Sequence, residues 1–127
     1  MHHRTYCLPT VAALLLAASP CSHAASGFGA LLKGTNFAAF SDADMKIFLN
    51  AAETTVRSQP DGVEVRWNSD KSGSTGTMHV ARSYEHNAHA CRELKGETIV
   101  KARAEPYTLT YCKDSAGHWR LASSTAP

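Results

Sequence analysis

The sequence has no run of charges of one sign and no apolar stretch of membrane-spanning length. Its 13 Lys and Arg residues nearly balance 11 Asp and Glu residues, so the formal net charge is only +2. Basic stripes of the kind that neutralise a phosphate backbone are missing, and we therefore expect no nucleic-acid partner. The longest apolar run, residues 8–18, is shorter than the roughly 20 residues that a membrane-spanning helix needs.

Cysteine is also scarce, with four in the chain. Cys7 and Cys21 fall in an N-terminal segment with the features of a secretory signal. This segment has Arg4 near its start, then the apolar run 8–18, then small residues up to Ala24. We therefore predict a signal peptide over residues 1–24.

Cleavage after Ala24 would leave about 100 residues, the size of one small domain. Cys91 and Cys112 would be its only thiols, and two cysteines in an exported chain usually pair. The alternative is cleavage before Cys21 and lipidation there, which would anchor the protein to a membrane. Pro20, directly before that cysteine, argues against this alternative.

Residues 25–40 combine glycines and apolar residues without a regular period, which predicts an irregular arm. Its large apolar side chains would be costly to leave in water without a partner. Either the arm packs against the domain that follows, which we favour, or it is a short interaction segment. The apolar residues concerned are Phe28, Leu31, Leu32 and Phe37.

An amphipathic helix is predicted to begin at Ser41. Ser41 can cap the helix, and Asp44 follows three places later, as in a capping box. We expect the helix to end before residues 59–62, which contain proline and glycine. Its apolar stripe comprises Met45, Phe48, Leu49, Ala52 and Val56.

Beyond Gly62 the apolar period changes to two, which predicts strands. A first hairpin joins a strand around Trp67 to a strand over residues 75–84, through the polar, glycine-bearing segment 68–76. One face of the first strand would carry Val63, Val65 and Trp67, and one face of the second would carry Met78, Val80 and Tyr84.

A second hairpin follows when Cys91 is set opposite Cys112 in an antiparallel pair. This register places the turn at Lys101-Ala102, and a bridge between the cysteines would contribute about 3 kcal/mol by limiting the unfolded chain. A last strand is predicted over residues 118–122. The apolar residues of the hairpin then share one face, which supports the pairing independently of the thiols: Leu94, Val100, Tyr107, Leu109 and Tyr111.

The predicted fold class is α+β. One amphipathic helix packs on an antiparallel sheet of about five strands with one cross-strand disulfide, in a domain over residues 41–124. We interpret the aromatic residues as core, in preference to an aromatic ligand cleft. The predicted structural core comprises Trp67, Tyr107, Leu109, Tyr111 and Trp119, together with Tyr84.

Three segments in this order resemble a known family. They are RWNSDKSGSTG at residues 66–76, CRE at residues 91–93, and YTLTYCKDSAGHW at residues 107–119. The chain from about Ser41 to Ala122 is similar to the C-terminal domain of the bacterial surface antigen family, which includes the rickettsial 17-kilodalton antigen and related outer-membrane or periplasmic proteins. The resemblance implies a cell-envelope location in a Gram-negative bacterium and implies no reaction.

Other chemistries are weaker interpretations of the same residues. His79, His86 and His89 could bind a metal, but a spacing of three on one strand puts His86 and His89 on opposite faces, so we interpret them as solvated. A paired Cys91 cannot be a thiolate nucleophile, and cysteines on facing strands are better explained as a structural bridge than as a redox pair. We therefore expect no catalytic residue, no metal and no cofactor.

The remaining hypothesis is a non-enzymatic structural or adaptor protein of the envelope, periplasmic or outer-membrane-associated. Its partners would be envelope proteins or peptidoglycan, with membrane attachment only through a lipid at Cys21. The alternative is a periplasmic inhibitor that binds a protein such as a lysozyme-type hydrolase. Arg92 and Glu93 form either an exposed pair or part of a binding face, and the sequence leaves this open.

Overall fold

The computed structural model describes residues 34–125, so the predicted signal and the arm residues Phe28, Leu31 and Leu32 lie outside the described residues. Five strands form one antiparallel sheet in sequential order, and one helix packs on it. The predicted α+β class is confirmed. The elements are a short 3-10 helix (Asn36–Ala39), α1 (Asp42–Ser58), β1 (Val65–Asn68), β2 (Thr75–His86), β3 (His89–Val100), β4 (Arg103–Lys113) and β5 (Trp119–Thr125).

The start and end of α1 follow from its sequence. Ser41 Oγ accepts a hydrogen bond from the Asp44 amide at 3.1 Å, and the Ser41 amide donates to the Asp44 carboxylate at 3.0 Å, which completes the predicted capping box. The helix ends at Ser58, ahead of Pro60. Its apolar stripe faces the sheet, where Phe48, Ala52 and Val56 are at most 1 % exposed.

The helix covers one face of the sheet, here called the inner face, and the disulfide lies on the other, the outer face. Two aromatic residues on the inner face lie opposite glycines: Trp67 pairs with Gly76, and Tyr107 with Gly96. A Cβ atom at either glycine would collide with the ring and with the backbone of the neighbouring strand on the other side. Glycine is therefore required for these rings to lie close against the sheet.

The β3–β4 hairpin has the predicted register. Cys91 pairs with Cys112, Leu94 pairs with Leu109, and the turn falls at Lys101-Ala102. The cysteine sulfurs are at bonding distance, 2.09 Å. The predicted disulfide is therefore confirmed.

The predicted face of Tyr84 is wrong. A β-bulge between Val80 and Arg82 shifts the alternation by one residue, so Tyr84 pairs with Cys91 on the outer face. There the phenol ring is half-buried, and the Arg82 guanidinium lies 4.4 Å from the ring centroid. A strict period of two cannot anticipate an extra residue in one strand.

The predicted placement of His86 and His89 is also wrong. β2 and β3 extend further than predicted, and these two residues pair directly across a two-residue turn at Asn87-Ala88. They therefore share one face, because cross-strand partners point to the same side of a sheet. Val63, in contrast, precedes β1 and is 42 % exposed.

The described part of the arm forms a 3-10 helix and packs on the domain. Phe37 is 8 % exposed, and its ring lies 4.9 Å from that of Phe48 and 5.4 Å from that of Tyr107. Asn36 is buried as well, and its side-chain amide donates to the Thr98 and Arg103 carbonyls at 3.1 and 2.8 Å. This segment therefore ties the tip of the β3–β4 hairpin to the core.

We predict that glycine at the second position of either tight turn stabilises the protein. Ala88 and Ala102 have φ values of 62° and 66°, in the left-handed region that costs a residue with a Cβ about 1 kcal/mol or more. Ala88→Gly and Ala102→Gly should each raise the free energy of unfolding by about 0.5 kcal/mol, since glycine also gives the unfolded chain more freedom. Urea denaturation measures this. Ala104→Gly, in the extended part of β4, is the control and should destabilise the protein; a loss at the turns would contradict the prediction.

Candidate functional site

The first segment of the family resemblance lies against the start of α1. Its loop between β1 and β2 closes on itself, because the Ser69 amide donates to the Ser74 carbonyl and the Gly73 amide to the Ser69 carbonyl, both at 2.8 Å. The Ser72 hydroxyl then donates to the Asp44 carboxylate at 2.7 Å. Asp44 is therefore held by the helix cap on one side and by this loop on the other.

The buried Asp44 carboxylate is stabilised in its charged form. Hydrogen bonds from the side chains of Ser69 and Ser72, in that order, and from the Ser41 backbone lower its pKa from 3.8 to about 2. The side chain is only 2 % exposed. Because hydrogen bonds outweigh the cost of burial, this carboxylate is a structural anchor for the N-terminus of the helix.

Arg92, in the second segment, holds the other end of α1. Its guanidinium donates to the Val56 carbonyl, to the Gln59 carbonyl at 2.7 Å and to the Asp61 carboxylate at 2.8 Å. It also donates to the Ser83 hydroxyl at 2.9 Å. The carbonyls of Val56 and Gln59 are among those that a helix end leaves without partners, and a cation there also complements the helix dipole. The Arg92 side chain is accordingly only 13 % exposed.

Glu93 lies on the opposite face of β3 and has a different role. Its carboxylate pairs with Arg82 at 3.3 Å and with Lys95 at 3.5 Å on the outer face. The side chains of Arg82 and Lys95 are 61 % and 50 % exposed, so this is a surface ion-pair ladder. Arg92 and Glu93 therefore lie on opposite faces of β3 and do not form a pair with each other.

The third segment forms the β4–β5 turn. Asp114 accepts hydrogen bonds from the amides of Ala116 and His118 and from the guanidinium of Arg120. The hydrogen bond from the His118 backbone is the main reason that the pKa of Asp114 lies below its ordinary value. This carboxylate therefore fixes the turn that starts β5.

Two grooves open at this end of the sheet. One lies beside the disulfide, has a volume of about 460 Å³, and includes His86, His89 and Arg120 in its lining. The other lies between the second half of α1 and the β4–β5 turn, and we call it the Trp119 groove. Its volume is about 340 Å³, and it is lined by Glu53, Arg57, Gly117, His118, Trp119 and Arg120.

The predicted core residues occupy different depths. Trp67, Tyr107, Leu109 and Tyr111 are between 1 % and 6 % exposed, whereas Trp119 is half-buried at the margin of the core. Burial, together with the nearby Glu53 carboxylate, raises the pKa of the Tyr111 hydroxyl to about 12. Trp119 is therefore the most exposed member of the set, and it lines the Trp119 groove.

Sequence reasoning missed the roles of Asn36 and Arg92. Neither follows from a local pattern, because Asn36 contacts residues more than 60 positions away and Arg92 reaches carbonyls more than 30 positions away. One sequence signal could have indicated the role of Arg92. Side chains alternate along a strand, and in the predicted register this alternation places Arg92 on the inner face of β3, towards the helix.

Within residues 34–125, no group of three or more His, Cys, Asp and Glu side chains is placed to hold a metal ion. In the same part of the chain, no helix is both long enough and apolar enough to cross a membrane.

Comparison of the chain with protein-family models, with curated proteins and with solved structures yields no match in any of the three. The resemblance to the surface antigen family therefore stays a prediction.

We predict that Arg92→Ala lowers the free energy of unfolding by about 3 kcal/mol, because it leaves helix-end carbonyls and Asp61 without their charged donor. Arg92→Lys should recover only part of this, since one ammonium group cannot span the same set of acceptors. Arg82→Ala is the matched control on the outer face and should cost about 1 kcal/mol or less. Equal losses for Arg92→Ala and Arg82→Ala in urea denaturation would contradict the role assigned to Arg92.

The lowered pKa of Asp44 predicts how the free energy of unfolding depends on pH. A carboxylate whose pKa is lower in the folded state stabilises the protein above pH 3.8 and loses that contribution as the pH falls to about 2. Asp44→Asn should therefore destabilise the protein by about 2 kcal/mol at pH 7 and by much less at pH 2. Denaturation measured across this range tests the prediction. Asp42→Asn, exposed in the same helical turn, is the control and should cost less than about 1 kcal/mol.

Proposed function

We propose that the chain is a small exported domain of the Gram-negative cell envelope, in the periplasm or at the outer membrane. There it acts as a surface-antigen-like structural or adaptor protein, by binding rather than by catalysis.

The observation that carries the proposal is that residues from all three segments of the family resemblance hold the helix and the sheet together. Cys91 and Cys112 bridge adjacent strands, Ser72 and Arg92 hold the two ends of the helix, and Asp114 fixes the last turn. These residues stabilise one arrangement of helix and sheet, as expected of a domain that presents a fixed surface to a partner. They therefore support a role in binding.

The disulfide supports the proposed compartment. Disulfide bonds form and persist in oxidising compartments, which include the bacterial periplasm, and are rare in the cytosol. For a domain this small, a bridge worth about 3 kcal/mol is a large part of the total stability. The Cys91–Cys112 bond therefore fits an exported protein better than a cytosolic one.

Fractionation of a Gram-negative host that expresses the full chain tests the location. We expect the protein in the envelope fractions, with a non-reduced mass that matches residues 25–127 less two hydrogens. A species that begins at Cys21 and carries acyl chains would replace the periplasmic form of the proposal with the lipoprotein form. An uncleaved, reduced chain in the cytosol would contradict the proposal.

Site-specific crosslinking tests the adaptor role. Ile47, Val63 and Ile99 are between 38 % and 42 % exposed and lie on the helix, on the loop before β1 and on β3, so they are matched positions for a photo-crosslinking residue. Discrete adducts with envelope components at one or two of the three positions are expected. No adduct at any position would contradict the adaptor role, and suppression of an added lysozyme would favour the inhibitor in its place.

A further inference from the structure

The Trp119 groove combines an aromatic surface with cations. It lies between the second half of α1 and the β4–β5 turn, and the indole of Trp119 lines it while also packing on the core. The Lys113 ammonium lies 5.3 Å from the centroid of this ring. A partly exposed tryptophan offers a flat apolar surface and one N–H donor, a combination that is enriched in binding sites.

The charges around this ring favour an anion. Arg57, Arg120 and Lys113 lie at or beside the groove, against the carboxylates of Glu53 and Asp114. Arg57 pairs with Glu53 at 3.4 Å, and both side chains are more than half exposed. Exposed pairs of this kind contribute little to stability. The Arg57 guanidinium can therefore exchange its partner for a ligand carboxylate, which it can bind through two parallel hydrogen bonds.

We propose that the Trp119 groove binds a carboxylate-bearing sugar. The apolar face of a pyranose ring would lie against the indole, and the sugar's carboxylate would bind Arg57, with Arg120 and His118 at the same margin. In a bacterial envelope, a free sugar carboxylate of this kind belongs to muramic acid in wall glycan from which the stem peptide has been removed, because the peptide is otherwise amide-linked to that carboxyl group. The source of the ligand, though not the site, rests on the proposed function. An acidic peptide would use the cations without the ring, and a neutral sugar would use the ring without the cations.

The test compares two soluble disaccharides in NMR titrations of the full mature chain. The probe is the disaccharide of N-acetylglucosamine and N-acetylmuramic acid, which carries a free carboxylate, and the matched neutral sugar is diacetylchitobiose. We expect the probe to shift the Trp119 indole and the Gly117 and His118 amide resonances in a saturable way. The neutral sugar should bind at least about tenfold more weakly.

Three variants locate the site. Arg57→Gln and Trp119→Leu should each weaken binding of the probe by about tenfold or more. Arg66→Gln is the matched control, because Arg66 also pairs with a glutamate, Glu64, at 3.4 Å and is 82 % exposed. It should leave the affinity unchanged. Because Trp119→Leu also removes packing, Arg57→Gln is the deciding variant.

Four results would overturn the proposal: no saturable shift with the probe, equal affinity for the neutral sugar, full displacement of the probe by an acidic peptide without a sugar, or unchanged affinity in Arg57→Gln. None of these depends on where the protein resides in the cell. Failure of the site is therefore distinguishable from failure of the proposed envelope location.

Discussion

A single helix must stay at one position over a five-stranded sheet, and polar contacts at its two ends fix that position. Apolar burial drives the helix onto the sheet, but the hydrophobic effect is not directional and would tolerate a shift of the helix across the sheet surface. Asp44 at the start of α1 and Arg92 near its end each accept or donate several hydrogen bonds to fixed partners. Such charge-assisted hydrogen bonds have strict geometry, so they specify one docking of the helix among the apolar alternatives.

Strand alternation lets neighbouring residues serve both faces of β3. Cys91 points to the outer face and joins β4 through the disulfide, whereas Arg92 points to the inner face and joins β3 to the helix. Glu93 points outward again and pairs with Arg82 of β2. Three consecutive residues therefore connect β3 to β4, to α1 and to β2. This arrangement assigns the short segment CRE a structural role.

The elements that the sequence predicts well are those with local or strictly periodic signals. The capping box at Ser41, the register that joins Cys91 to Cys112 and the turn at Lys101-Ala102 all follow from spacing within one or two adjacent elements. The bulge after Val80 breaks the period on which the prediction of Tyr84 depended. Asn36 and Arg92 act across large sequence separations, through contacts that exist only once helix and sheet are packed together. The Trp119 groove belongs to the same class, because its two walls come from the helix and from the last turn.

The two faces of the sheet differ in the cost of binding a partner, which comes from removing water from charges and from ordering side chains. On the outer face, Glu93 lies between Arg82 and Lys95, and burying that ladder would remove water from three charges. The cost of desolvating such groups commonly equals the electrostatic gain. At the Trp119 groove, the indole is already half-buried and held by the core, so contact with a ligand orders little further side-chain freedom. Binding of the proposed sugar is therefore expected at the Trp119 groove, where a rigid aromatic surface and exchangeable cations coincide.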